Sequence, residues 1–119
     1  MKYMLMIHQG TTPTPLDPAA WATLSEDEQQ AIYAAYNTIN VTPGVTPGNG
    51  LQPPETATTV RVKDGKTITT DGPFVDTKEA LNGYLIYEAE DLDAAIELAA
   101  QVPAARLGGA IEVRPIQEW

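Results

Sequence analysis

Cysteine is absent from this chain, and histidine occurs once, at His8. The first absence excludes disulfides, thiol nucleophiles and thiolate metal sites together, and it agrees with a reducing compartment, so a cytoplasmic location is expected. Basic residues are scarce, with seven Lys and Arg against sixteen Asp and Glu in 119 residues, a formal net charge of −9. Such a chain repels phosphate backbones and anionic headgroups, which argues against nucleic-acid and membrane partners. Long apolar runs are missing as well: Met4 to Ile7 is far short of a membrane span. No charged segment followed by a long apolar one opens the chain, so no export signal is expected. No glycine pattern joins a strand to a helix as phosphate-binding loops require, and Glu88 to Asp93 reads as a charged helix start, not a spaced carboxylate loop. Neither a cofactor nor a metal is therefore expected. What remains is a chain of single-domain length whose apolar fraction of 43% suffices for one core.

Lys2 to His8 reads as a first strand with Tyr3, Leu5 and Ile7 on one face and Met4, Met6 and His8 on the other. Both faces are apolar, the pattern of an interior strand covered on two sides. Asp17-Pro18 starts a short helical turn through Trp21. Ser25 with Glu28 forms a capping box for a helix to Asn40, with Ile32, Tyr36 and Ile39 in an apolar stripe. Val41 to Pro54 repeats Val-Thr-Pro-Gly and holds four prolines, so an ordered loop with a brief strand is predicted. Gly48-Asn49-Gly50 reads as a turn. Thr58 to Lys63, Asp64-Gly65 and Lys66 to Thr70 form a hairpin signature. Leu81 to Glu88 is a second interior strand in which Gly83 permits close backbone approach. A helix over Asp91 to Gln101 and an alternating strand over Ala110 to Ile116 complete the chain. This order predicts an α+β, ferredoxin-like antiparallel sheet with two helices on one face and an inserted β-hairpin. The bare second face predicts a homodimer.

The run Asp71-Gly72-Pro73-Phe74, followed by Val75-Asp76-Thr77-Lys78-Glu79 and Gly83-Tyr84, closely resembles the signature of the YCII-related, or DGPF-domain, bacterial proteins. The resemblance extends to Met1 through Leu5, Gly50 through Pro54, Ala57 through Val62 and Glu112 through Pro115, which covers most of the chain. It implies one YCII-related domain over residues 1–119 with a dimeric α+β barrel. Many members are encoded beside extracytoplasmic-function sigma factors, and a related branch contains a dehydrochlorinase. A smaller branch carries a proposed His/Asp pair whose histidine lies early in the first helical region. Here that region has Trp21 and Ser25 but no histidine, so the pair is not carried over. The stretch Asn37 to Asn49 is also shorter and richer in Pro and Thr than its family counterpart.

The residues suited to chemistry are few. Asp71 stands where a strand ends in a stiff Gly-Pro turn and can act as a general base, against the plainer reading that its carboxylate shapes the corner. His8 can work near neutral pH if a carboxylate such as Asp71 or Glu112 accompanies it, against the preferred reading of a hydrogen-bonded structural histidine, and family members carry Tyr there. Arg61 and Arg114 present planar forks for an anion or pair across the sheet with Glu112. Lys78 offers a point charge or joins a solvated cluster with Asp76 and Glu79, and Phe74 offers an aromatic wall. Two functions follow as expectations. One is binding or transformation of a small, aromatic or anionic molecule near the Asp71-Gly72-Pro73-Phe74 turn, in a pocket between sheet and helices. The other is a non-catalytic accessory module linked to sigma-factor signalling through protein contacts.

Overall fold

The computed structural model describes residues 1–73 and 81–119. Its elements in chain order are strand β1 (Lys2–His8), helices α1 (Pro18–Trp21) and α2 (Glu26–Asn40), strands β2 (Val45–Thr46), β3 (Thr58–Lys63), β4 (Lys66–Asp71) and β5 (Leu81–Glu88), helix α3 (Leu92–Ala100) and strand β6 (Ala110–Pro115). Short 3₁₀ turns cover Pro54–Thr56 and Pro103–Ala105. Both longer helices start on side-chain caps that satisfy otherwise orphaned N–H groups. Ser25 Oγ accepts from the Glu28 N–H while the Glu28 carboxylate accepts from the Ser25 N–H, and Asp91 accepts from the Ala94 N–H. The Ser25 N–H and, secondarily, the Ser25 hydroxyl donate to the Glu28 carboxylate and hold its carboxyl below the ordinary range.

The main sheet runs β2-β5-β1-β6 with antiparallel neighbours, the ferredoxin-like order. Leu5 lies opposite Leu85 on one side and Val113 on the other, so three strands place apolar side chains in one row. On that face Tyr3, Leu5, Ile7 and Leu85 meet Ile39 of α2 and Ala95, Leu98 and Ala99 of α3, with Val102 and Ala104 behind them. Both helices therefore cover the same side of the sheet. The opposite face presents Met4, Met6, Tyr84 and Ile86, all half-buried. The period-two pattern of β1 is thus real but asymmetric, deeply buried on one side only.

Strands β3 and β4 form a separate two-stranded ribbon. Asp64 and Gly65 take positive φ angles of 52° and 74°, the requirement of the tight hairpin turn read from their order. Val60, Val62 and Ile68 are exposed on this ribbon.

The α+β barrel expected from the family resemblance is not found, because the described sheet is open. Its edges β2 and β6 do not pair with each other, and the ribbon joins neither. Strand β2 is the physical reason at one edge: Pro43 and Pro47 stand on either side of it and lack ladder donors, so its regular pairing with β5 is limited to Val45 and Thr46, with only separate bonds at Asn49 and Leu51 beyond. Four strands, one of them two residues long, are too few to close around a packed interior.

Candidate functional site

A cavity of about 310 Å³ opens between α2 and the β2-side half of the sheet. This volume lies at the lower end of the range that holds small organic ligands. Its walls come from parts of the chain far apart in sequence: Ile7 and Gln9 at the end of β1, Thr14 to Leu16, Tyr36 and Asn40 on α2, Gly48 to Leu51, and Asn82 to Leu85 on β5.

The local chemistry explains how these segments meet. The β1–β5 register slips between Ile7, opposite Gly83, and His8, opposite Leu81. A slip of this kind re-aims side chains next to a site. Asn82, skipped by the register, accepts from the Gln9 N–H through Oδ1 at 3.4 Å. The segment Gly48 to Leu51 lies against β5 as an extended edge instead of the turn its composition suggested. Leu51 N donates to Asn82 O at 2.7 Å, Tyr84 N donates to Asn49 O at 3.3 Å, and the Asn49 amide donates to the Tyr84 hydroxyl at 3.2 Å. Gly48 permits this approach, since any Cβ there would run into the Tyr84 carbonyl. At Gly83 a Cβ would stand 3.2 Å from Asn49 O, in keeping with the close approach read from the sequence.

None of the described residues that line the cavity is charged. Its polar lining residues include Gln9, three asparagines, Thr14 and Tyr36, and burial raises the Tyr36 phenol above its ordinary pKa of 10.0. A second recess of about 90 Å³ shares Gln9, Thr14, Pro15 and Tyr36 and is backed by Trp21 and Tyr33, whose rings meet edge to face at 5.6 Å. Gln9 and Thr12 line this recess, and their Oε1 and Oγ1 atoms are buried without a hydrogen-bond partner. Buried polar atoms normally have partners, so an orphaned pair beside a cavity marks a place where a bound molecule would complete the bonding.

The residues selected from the sequence lie elsewhere. Asp71 is the last residue of β4, exposed and opposite Thr58. The adjoining turn is held by backbone and hydroxyl bonds, Gly72 N to Ala57 O and Thr59 Oγ1 to Gly72 O, both at 2.7 Å. Arg61 borders a groove of about 450 Å³ along the ribbon together with Lys63, Ile68 and Pro73. That groove is larger than the cavity, but its walls belong to one two-stranded ribbon and the turn after it, which cannot enclose a ligand. His8 faces Glu112 on the helix-free side, Nε2 to Oε1 at 3.5 Å, and Glu112 in turn meets Arg114 at 3.9 Å. The Arg114–Glu112 contact is exposed on both sides and is worth about 0–1 kcal/mol. Phe74 and Lys78 lie outside the described residues. The structure thus brings His8, Glu112 and Arg114 together and leaves Asp71 and Arg61 on the ribbon. Sequence reasoning passed over Gln9, Asn40, Asn49 and Asn82 because neutral amides carry no signal in composition. The doubled Gly48 and Gly83 were the usable clue.

Among the described residues no group of three or more His, Cys, Asp or Glu could hold a metal ion, and no helix is long and apolar enough to cross a membrane. The YCII-related domain model matches residues 1–119, and the chain belongs to that family. It is similar to an uncharacterized protein of Rhizobium meliloti (strain 1021), 33% identical over 118 residues that cover 98% of this chain and 92% of the relative.

Proposed function

We propose that the chain binds a small organic molecule in the cavity between α2 and β5. The observation that carries this reading is a concave, largely uncharged site assembled from distant segments, with unpartnered polar atoms at its inner end. The site is offset from the Asp71 turn, so recognition is assigned to the helix–sheet crevice and not to the ribbon.

Asn40 supplies a mild test because it is exposed at the last position of α2 and borders the cavity. An Asn40→Trp chain keeps its thermal unfolding midpoint within a few degrees, while fragments that bind the unaltered chain lose at least about tenfold in affinity, equivalent to about 1.4 kcal/mol. Isothermal titration of both chains checks this, and equal affinities would remove the cavity from consideration.

The helix-free face is assigned to a second copy of the chain. Met4, Met6, Tyr84 and Ile86 form its apolar centre, and Glu112 and Arg114 give it one charge of each sign, which a two-fold pairing can set against each other. Sedimentation equilibrium at micromolar concentration is expected to give a dimer that a Met6→Glu exchange dissociates. A stable monomer of the unaltered chain would rule this pairing out.

A further inference from the structure

Resting on the reading that the cavity is the ligand site, we propose that it selects an uncharged hydrogen-bond donor of the primary amide or lactam class over the corresponding carboxylic acid. Among the described residues, Gln9 Oε1 is a buried acceptor with no partner, and the hydroxyl of Thr12, which lines the same recess, is likewise unpaired. An amide N–H donates to the Gln9 oxygen, whereas a carboxylate is acceptor-only and sets its lone pairs against that oxygen. Desolvating a carboxylate also requires a compensating cation. The described lining supplies none, and a chain of net charge −9 adds an unfavourable long-range field. Tyr36 completes the neutral character, because burial keeps its phenol protonated through the physiological range. A planar ring carrying the amide would lie in the cavity against Tyr36, with the aromatic pair Trp21 and Tyr33 behind that residue.

Of the aromatic or anionic ligand expected from the sequence, this proposal takes the aromatic alternative. Discrimination comes from the unpaired buried Gln9 oxygen, since a site with such a group rejects an analogue lacking the matching donor most strongly.

Benzamide and benzoate, isosteric and differing in this one group, are the probes. Titration at pH 7 followed by amide chemical-shift mapping on the full chain is expected to show benzamide at least about tenfold tighter than benzoate, with shifts centred on Gln9, Tyr36 and Asn82. In Gln9→Leu the preference falls towards parity, and Gln9→Met serves where the leucine chain unfolds early. Benzoate binding as tightly as benzamide, with shifts at the same residues, overturns the ligand class and leaves the cavity reading intact. Shifts confined to the ribbon, or none with either probe, overturn both.

Discussion

Exchanging Leu5 for alanine lowers the free energy of unfolding by about 3–5 kcal/mol, the range for a fully buried leucine whose surroundings cannot collapse into the space left. Leu5 is 0% exposed at the centre of β1, opposite Leu85 and Val113, and belongs to the core that both long helices cover. Neighbouring strands hold the backbone on both sides, so the sheet cannot close the void and much of the cavity penalty persists. Against a total stability of about 5–15 kcal/mol for a domain of this kind, the loss is large enough to populate unfolded chains near body temperature. Urea denaturation at fixed protein concentration measures it through a lower midpoint at unchanged slope. A loss under about 1.5 kcal/mol would mean that Leu5 is not at the centre of the core.

Gly109→Ala is the second exchange with a large expected effect, and it connects the fold to the site. The turn before β6 lies so close to the end of β1 that a methyl group at position 109 meets the carbonyls of both His8 and Gln9, the latter at 2.7 Å. These are backbone atoms at and just beyond the end of β1 and cannot swing aside as a side chain would. Overpacking of this kind costs about 1–3 kcal/mol. The displaced residue is Gln9, whose N–H is bonded to Asn82 and whose side chain lines the cavity. Stability and benzamide affinity therefore fall together in this variant, the affinity by about tenfold or more. Asn40→Trp, by contrast, lowers affinity alone. Unfolding curves and calorimetric titration on the same samples separate the two behaviours, and a Gly109→Ala chain with undiminished affinity would detach Gln9 from the site.

Local signals in the sequence carried most of the architecture. The Ser25–Glu28 reciprocal cap, the Asp64-Gly65 turn and the apolar spacing of Leu92 to Ala99 each act within a few residues, and each element stands where its signal placed it. The closed barrel failed because closure is decided at sheet edges, and the edge strand β2 is cut to two residues by its flanking prolines. Ionisable residues drew attention to Asp71, His8, Arg61 and Arg114, since charge is what a sequence displays most openly. The candidate site is built instead from neutral amides and phenols that become a site only when β1, α2, β5 and the segment at Gly48 converge. The orphaned oxygens of Gln9 and Thr12 were illegible for the same reason: whether a polar atom lacks a partner is a property of packing and not of residue type.

A crystal structure of the chain soaked with benzamide bears on the helix–sheet cavity most directly. The ligand is expected between Tyr36 and Asn82 with its amide nitrogen within hydrogen-bond distance of Gln9 Oε1. Benzamide seated along the β3–β4 groove beside Arg61, with the space between Tyr36 and Asn82 still open, would contradict it.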